Sequence, residues 1–285
     1  IENPFEIIAH HIHMAINAPH TLRLIRWVYG LCNLYDPMLN LPRGKYIVCG
    51  YGRMGKSIYE VLKENDFEIA FAEIDGEKIK QLSQAECKNI HIGDGDDREM
   101  LKELGVDTCV GIIAGTNDDT TNLSILATAR KLNPHIITIA RENELEDFSI
   151  FENSKIDTVF IPAKVLITKT VHAIINPALD LFIKHISLLG EERVVTLTKE
   201  LLELDLHPLL FTCKLDKASA PMILEHKEPI GLGLLKTSLK NRALDNNLLP
   251  LMLVRNEEVI LLPSWETFLQ EHDLLLFAGD ANAQN

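Results

Sequence analysis

The feature that most constrains the fold is an alternation of strand-like and helical patterns between Lys45 and Ile161. Short apolar β-like runs recur there six times, and segments with helical spacing separate them. Strands that alternate with helices form parallel units, because each helical crossover returns the chain to the same edge of the sheet. The pattern therefore predicts an α/β fold of the Rossmann type, with a doubly wound parallel sheet. The expected strands are 45–49, 67–74, 89–92, 109–114, 135–140 and 157–161, and the expected helices between them include 76–82, 97–104, 118–132 and 142–151.

A glycine-rich turn joins the first predicted strand to the following helix. Residues 50–55 read GYGRMG, which is the Gly-x-Gly-x-x-Gly pattern of dinucleotide-binding folds. The first glycine of this pattern permits the tight turn, the second lets the backbone approach a pyrophosphate, and the third allows close packing of helix on strand. Free N–H groups and the positive helix end then receive the phosphate. The sequence therefore predicts an adenine nucleotide or dinucleotide at this turn.

An acid at the end of the second strand is the next requirement of such a site. Glu73 lies about 20 residues after the middle glycine, where a carboxylate accepts hydrogen bonds from the ribose diol. A carboxylate there also repels a 2′-phosphate, so it disfavours NADP. Asp75 is the second candidate for the ribose, and its alternative role is that of a turn or capping acid.

Two further loops follow strands at the edge where doubly wound folds bind ligands. Asp94, between Gly93 and Gly95, is placed to accept a hydrogen bond from an adenine amino group. Thr116 and Asn117 are placed to donate to a phosphate or a ribose, although Asn117 can instead cap the next helix. The acidic run after the third strand does not match an EF-hand loop, and a helix N-terminus explains it better than calcium does.

The rest of the chain divides into three segments beside the nucleotide-binding domain of residues 43–162. Residues 1–42 predict a helical N-terminal linker, whose crowded histidines are expected to pack or face solvent and not to bind a metal. Residues 163–190 predict an apolar helix–turn–helix broken at Asn176-Pro177, which packs either on its own C-terminal domain or on a partner subunit. Residues 191–285 predict a smaller α+β domain with β-like runs at 193–198, 209–215, 248–255, 259–262 and 273–278.

Composition narrows the class of protein further. The net charge of −13 argues against a general nucleic-acid binder, because phosphate contacts need clustered Lys and Arg. The five cysteines are widely spaced and include no C-x-x-C, so reduced thiols are expected, with Cys49 and Cys109 packed in the core. No apolar run approaches the roughly 18 residues of a membrane span. Because the chain begins with Ile1, we expect it to be a piece of a longer protein. The lack of an apolar run long enough to span a membrane then applies to this piece alone.

Several motifs together resemble the regulator-of-potassium-conductance family, which is also called RCK, KTN or TrkA-N. The resemblance covers about residues 45–162 and includes the arginine inside the glycine turn, Gly93-Asp94 and Asn122. A second segment, LPLMLVRNEEVILLPSWETFLQEHDLLLFAGD, resembles the C-terminal companion domain of the same family. The motifs of the first segment are YIVCGYGRMGKSIYEVL, FAEID, IHIGDGDD, VGIIAGTNDDTTNLSILATARKLNP and ITIARENE.

The resemblance implies a non-enzymatic sensor that binds NAD, NADH, ATP, ADP or AMP in the Rossmann cleft. It also implies a homodimer or a larger gating ring, paired through the helical crossover of residues 163–190. The assembly would act on a membrane potassium channel pore or a transporter subunit, at the cytoplasmic side of a bacterial inner membrane. The first 42 residues then look like the link from such a pore.

The resemblance further assigns roles to single residues. Arg53 would lie by the phosphates, Glu73 on the ribose and Asp94 by the adenine, while Arg141 would contact either a phosphate or a second subunit. In full, the residues expected at the ligand are Gly50, Tyr51, Gly52, Arg53, Met54, Gly55, Glu73, Ile74, Asp75, Asp94, Gly95, Gly115, Thr116, Asn117 and Arg141.

Two alternatives compete with the hypothesis that this chain is a sensor joined to a pore in one protein. An NAD-dependent oxidoreductase needs a polarising or proton-transfer group that faces the nicotinamide. The second domain offers His185, His207, His226 and His272, but none lies in a recognisable catalytic setting. We therefore expect no enzyme, because cofactor binding by itself is no reaction. The other alternative is a free subunit that docks onto a separate transport protein.

Overall fold

The computed structural model describes residues 3–63, 67–80, 88–143, 148–218, 220–226, 228–237 and 246–280. Their contacts divide the chain into two compact units. The first unit contains Ile1–Ala18 and Leu39–Thr168, and the second contains Pro19–Met38 and Lys169–Asn285. The segment 1–42, predicted as one linker, is thus divided between the two units.

The first unit is built on a six-stranded parallel sheet with the strand order β3-β2-β1-β4-β5-β6. This order reverses between β1 and β4, which is the point where ligands bind in doubly wound folds. The predicted Rossmann-type fold is therefore confirmed. Its strands are β1 Lys45–Cys49, β2 Glu68–Glu73, β3 Ile90–Ile92, β4 Gly111–Ala114, β5 Ile137–Arg141 and β6 Thr158–Phe160.

Helices flank this sheet and pack on its apolar strands. Residues 46–49 of β1 are buried, as are all four residues of β4, which is the pattern of strands covered on both faces. One core cluster joins Ile47, Ile112 and Leu126 and includes Cys49 and Cys109, as predicted. The helices of the first unit are α1 Pro4–Asn17, α3 Arg53–Lys63, α4 Gly76–Lys80, α5 Arg98–Glu103, α6 Asp119–Leu132 and α7 Phe148–Asn153.

Helix α1 belongs to the first unit because its apolar face is buried there. Phe5, Ile8 and Ile12 recur at helical spacing and are at most 4% exposed. Asn3 caps the helix by accepting a hydrogen bond from the N–H of Phe5 at 3.1 Å. The chain returns to α1 later, where the N–H of Leu41 donates to the carbonyl of Ala15 at 3.0 Å.

The second unit contains a four-stranded antiparallel sheet with the order β7-β10-β8-β9. Apolar side chains from its inner face form a core that includes Leu253, Leu275 and Phe277. Its strands are β7 Leu209–Lys214, β8 Leu248–Arg255, β9 Glu258–Leu261 and β10 Leu274–Gly279. The helices of this part of the chain are α2 Pro19–Val28, α8 Pro162–Ile175, which begins in the first unit, α9 Pro177–Ile186, α10 Glu191–Leu204 and α11 Pro221–Leu224, with 3₁₀ turns at Ser187–Leu189 and Leu232–Lys236.

A distant carboxylate holds α2 within the second unit. Glu191 accepts hydrogen bonds from the N–H of His20 at 3.0 Å and of Thr21 at 2.8 Å, and also from the Thr21 hydroxyl. These are two of the orphan N–H groups at the start of α2, where negative charge is favourable. This contact explains why residues 19–38 leave the unit that contains α1.

One predicted element is wrong, and a second begins later than predicted. Residues 193–198 are predicted as a strand but lie inside α10, because Val194, Leu197, Thr198 and Leu201 recur at helical spacing and form its buried face. Residues 142–151 are predicted as a helix, but Glu142 continues from β5 and donates its N–H to Phe160. In the described part of the chain the helix begins at Phe148. Residues 144–147 are not among the described residues.

Helices α8 and α9 confirm the predicted helix–turn–helix, with Asn176 capping α9 through the N–H of Leu179. Among the described residues no single helix is long and apolar enough to cross a membrane, and only the sharply bent pair Pro162–Ile175 with Pro177–Leu189 reaches that length and composition.

Candidate functional site

A cleft of about 360 Å³ opens at the carboxyl ends of β1, β2, β3 and β4. It lies over the point where the strand order of the parallel sheet reverses, as expected for a ligand site in this fold. Nine of its lining residues belong to the predicted set, namely Gly50, Gly52, Glu73, Ile74, Asp94, Gly95, Gly115, Thr116 and Asn117. The tertiary structure thus brings together four loops that are far apart in the sequence.

The three glycines of the turn have three different surroundings. Gly50 has a φ of +98°, a backbone conformation that side chains disfavour. A Cβ on Gly55 would overlap the carbonyl oxygen of Gly50, so this glycine is needed for close packing of α3 on β1. A Cβ on Gly52 would meet no protein atom within 4 Å and would project into open space at the cleft. The chain's own packing therefore explains Gly50 and Gly55 but not Gly52.

Glu73 is held at the end of β2 and is only 4% exposed. Its carboxylate accepts hydrogen bonds from the N–H of Tyr51 at 2.8 Å and from the N–H of Asp75 at 2.9 Å. The Lys78 ammonium lies 3.4 Å away from the same carboxylate. Glu73 therefore fixes the backbone of the glycine turn as well as lining the cleft, and two carboxylate oxygens retain further acceptor sites for a ligand.

The loop after β4 is organised by Asn122, which is fully buried on α6. Its side-chain oxygen accepts from the Thr116 N–H at 2.9 Å and from the Thr116 hydroxyl at 2.8 Å. Its amide donates to the carbonyl of Arg141 at 2.9 Å, which ties the ends of β4 and β5 together. Because both Thr116 donors are used within the protein, Thr116 does not offer the ligand the hydrogen bonds that the sequence predicts.

Cys49 and Asp94 form the part of the cleft nearest to β3. Burial, and then the nearby Asp94 and Asp96 carboxylates, raise the pKa of the Cys49 thiol to about 12. The thiol is therefore protonated at neutral pH and serves as an apolar wall. Asp94 is exposed, and one of its oxygens accepts from the Asp96 N–H at 3.3 Å.

Four of the predicted ligand residues have structural places outside the cleft lining. The ring of Tyr51 packs edge-on against Phe71 at 5.0 Å, and Met54 is fully buried. Gly55 supports the turn from behind, as described above. Asp75 lies in the turn after β2 and caps α4 by accepting from the Glu77 N–H at 3.0 Å, which is its alternative predicted role.

Arg53 and Arg141 adjoin the cleft without lining it. Arg53 follows Gly52, and the guanidinium of Arg141 donates to the Asn117 side-chain oxygen at 2.9 Å. Both guanidinium carbons lie over the ring of Phe5 from α1, at 4.8 Å and 4.9 Å from its centroid. Burial, and then the nearby Arg53 charge, lower the pKa of Arg141.

Several lining residues are absent from the predicted set. One of them is Lys78, whose charge is opposite to that of Glu73. It lies on α4 five residues after Glu73, and this spacing is the feature of the sequence that could have identified it. Asp118 is the N-cap of α6, and the hydrogen bonds from Thr121 lower its carboxyl pKa. The others are Cys49, Ala72, Gly93, Thr121 and Ile125. Within the described residues there is no group of three or more His, Cys, Asp or Glu side chains that could hold a metal ion.

Residues 46–162 match the family model of the TrkA-N domain. Among curated proteins, probable potassium channel protein 2 of Methanocaldococcus jannaschii is 35% identical over 103 residues, which are 35% of this chain and 30% of that protein. A Trk system potassium uptake protein TrkA homolog of Pyrococcus abyssi is 25% identical over 139 residues, which are 47% of this chain and 61% of that protein. The matched segments therefore span roughly a third to three fifths of these relatives.

Among solved structures, the GsuK channel bound to NAD is 20% identical, with a TM-score of 0.42. The alignment covers 85% of this chain and 37% of that one.

Proposed function

We propose that this chain, whose residues 46–162 match the TrkA-N domain model, is a regulator of potassium transport that binds an adenine nucleotide or NAD(H) in the cleft. The relatives named as potassium channel and potassium uptake proteins support the transport system as the target. A membrane pore or a transporter subunit is the partner in this proposal, and the regulator works at the cytoplasmic face of the membrane.

Gly52 is the observation that carries the nucleotide-binding part of the proposal. It lies at the N-terminus of an 11-residue helix, where backbone N–H groups lack intrahelical partners. Its missing side chain leaves open space that no protein atom fills. A phosphate group fits this position by charge and by close approach to the backbone. Glu73 lines the same cleft, at the place where a ribose diol would be bound.

The proposed roles of the remaining lining residues follow from their chemistry. Glu73 would accept from the ribose, Asp94 would accept from the adenine amino group, and the amide of Asn117 would donate to the ligand. Because the Glu73 carboxylate would face the ribose in this proposal, we place NAD ahead of NADP, with NADH, ATP, ADP and AMP as the alternatives.

An exposed apolar face on α8 supports the proposal that two chains pair through the crossover. Ile167, Val171, Ile174 and Ile175 are 56%, 43%, 76% and 77% exposed. Contiguous apolar exposure of this kind is typical of an interaction site. In the proposed mechanism the ligand favours one arrangement of the paired chains, and it does so only by its differential affinity for the two states.

The experiment is titration calorimetry of the purified chain with NAD, NADH, ATP, ADP, AMP and NADP. We expect at least one nucleotide with a free 2′-hydroxyl to bind, and Gly52→Asp to abolish binding by adding bulk and negative charge at the phosphate position. Ser57→Asp is the matched control, because it adds the same charge to α3 at a residue that does not line the cleft. Unchanged affinity in Gly52→Asp would remove the proposed site.

A second assay separates regulation from catalysis. The chain is incubated with NADH and a panel of small carbonyl compounds, and with NAD and the matching alcohols, while absorbance of the reduced nicotinamide is followed. If the chain is a sensor, the absorbance stays constant. Steady turnover would contradict the sensor proposal and favour the oxidoreductase alternative.

A further inference from the structure

Phe5 of α1 joins the N-terminal helix to the two arginines beside the cleft. Its ring is only 4% exposed, and the guanidinium carbons of Arg53 and Arg141 lie 4.8 Å and 4.9 Å from its centroid. Arg53 is the first residue of α3, and Arg141 is the last residue of β5. The ring therefore holds together two cations that come from distant parts of the sequence, through the attraction of each cation for the ring face.

The Asp119 carboxylate raises the pKa of Arg141 through its charge, and it balances the charge of the two arginines only in part. Among the described residues neither Arg53 nor Arg141 forms an ion pair with a carboxylate, and the Nε of Arg141 is buried without a hydrogen-bond partner. Two like charges over one ring repel each other, and the partial burial of Arg141 adds a desolvation cost. An anion between or beside the guanidinium groups would offset both costs.

The neighbouring cleft identifies the class of that anion. Arg53 follows Gly52 directly, and Arg141 donates to Asn117, so each arginine is one residue or one hydrogen bond away from the cleft lining. If the glycine turn receives the first phosphate of a nucleotide, as in the proposed function on which this inference rests, the arginines adjoin the space for the phosphates that follow.

We propose that Phe5 is a positioning residue that holds Arg53 and Arg141 at the mouth of the cleft, where they bind the phosphate groups of the nucleotide beyond the first. Through Phe5 the N-terminal helix α1 becomes energetically linked to the phosphate end of the ligand. By reciprocity, a ligand that engages the arginines stabilises the docking of α1 on the first unit.

The test compares the affinities of adenosine, AMP and ADP for the unaltered chain and for three variants, by calorimetry. Phe5→Leu retains apolar volume but has no ring face, Phe5→Tyr retains the ring face, and Ile8→Ala is a control that shortens another buried side chain of α1. We expect Phe5→Leu to lower the preference for ADP over AMP about fivefold to tenfold, the scale of a cation–π contact. Phe5→Tyr and Ile8→Ala are expected to keep that preference.

Amide hydrogen exchange provides a second readout in the unaltered chain. ADP is expected to slow exchange along Pro4–Asn17 more than AMP does, and Phe5→Leu is expected to abolish the difference. If Phe5→Leu weakens AMP and ADP by the same factor, or leaves their ratio unchanged, Phe5 has only a packing role and the inference is wrong. If the unaltered chain binds NAD or NADH but none of the three probes, this inference alone is wrong, and if it binds none of the five, the proposed function fails together with it.

Discussion

Glu73 of the first unit and Asp273 of the second unit are both buried carboxylates beside a strand, and they have different partners. Asp273 in the second unit is fully buried, and Arg255 donates to it twice, at 2.8 Å and 2.7 Å. The N–H of Gln270 completes its hydrogen bonds at 2.8 Å. Glu73 in the first unit bonds to backbone N–H groups of its own loops and also lines a cleft of about 360 Å³.

This difference separates a carboxylate that stabilises a fold from one that is available to a ligand. A buried carboxylate that is paired with a guanidinium has its charge neutralised within the protein. A carboxylate bonded mainly to backbone N–H groups keeps acceptor capacity toward the cleft. We therefore expect variants in the second unit to change its stability and leave nucleotide affinity alone, and cleft variants to do the reverse.

The largest expected effect comes from Asp273→Ala, which leaves the Arg255 guanidinium without its carboxylate. Removal of one partner of a buried ion pair costs about 3–5 kcal/mol, and we expect about 3 kcal/mol because Arg255 is partly exposed. Tryptophan fluorescence during urea unfolding measures this loss, since Trp27 and Trp265 both lie in the second unit. Glu271→Ala is the control, because its partner Lys217 is 69% exposed and the pair contributes under about 1 kcal/mol. A loss equal to the control would contradict the comparison.

The two glycines Gly55 and Gly52 are expected to separate stability from affinity within the first unit. Gly55→Ala places a methyl group against the Gly50 carbonyl and is expected to cost about 2 kcal/mol in unfolding free energy. Gly52→Ala meets no protein atom, so its stability is expected to change by less than about 0.5 kcal/mol, while nucleotide affinity falls about tenfold. Scanning calorimetry and ligand titration measure the two quantities. Equal stability losses in both variants would show that Gly52 also has a packing role.

Glu73→Gln is expected to weaken NAD binding about tenfold, since a charged acceptor of the ribose hydroxyls is replaced by a neutral one. The same change removes the charge that repels a 2′-phosphate, so the preference for NAD over NADP should decrease. Asp75→Asn is the matched control, because Asp75 caps α4 and does not line the cleft. If NADP discrimination is unaltered in Glu73→Gln, then Glu73 is not the ribose acid.

The smallest expected effect comes from Lys78→Ala. Lys78 is 51% exposed and lies 3.4 Å from Glu73, so it screens that carboxylate only in part. Its removal is expected to increase discrimination against NADP about twofold to threefold, the opposite direction to Glu73→Gln. Lys80→Ala, which breaks a pair between two exposed side chains, is expected to leave the ratio unchanged. A reduced discrimination in Lys78→Ala would show that Lys78 has another role.

Much of the fold could be predicted because it depends on neighbouring residues. Strand β8 has the predicted bounds, and the helix N-terminus expected at the acidic run is present, where Asp97 caps α5 by accepting from the Glu99 N–H at 2.8 Å. The run after Gly190 could not be assigned in the same way, since its two adjacent valines suit a strand as well as a helix. Only the burial of Val194 and Leu201 along one face identifies it as part of α10.

The candidate site was predictable in its loops but not in its detailed contacts. The spacing of Gly50, Gly52 and Glu73 points to one edge of the sheet, and the cleft is lined by all three. The sequence also places Thr116 at that edge, but its donors are engaged by Asn122, which lies six residues later. Which donors of a loop remain available depends on its hydrogen-bond partners, and spacing does not reveal them.

The sequence by itself determined the glycine turn, the acid after β2 and the parallel order of elements, because each follows from periodicity and short-range spacing. The tertiary structure alone decided that the glycine turn is fastened by the acid Glu73, and that α1 contributes Phe5 to the two arginines. It also decided that α1 and α2 belong to different units. These contacts join residues far apart in the chain, and they form only where folding brings complementary charge and apolar surface together.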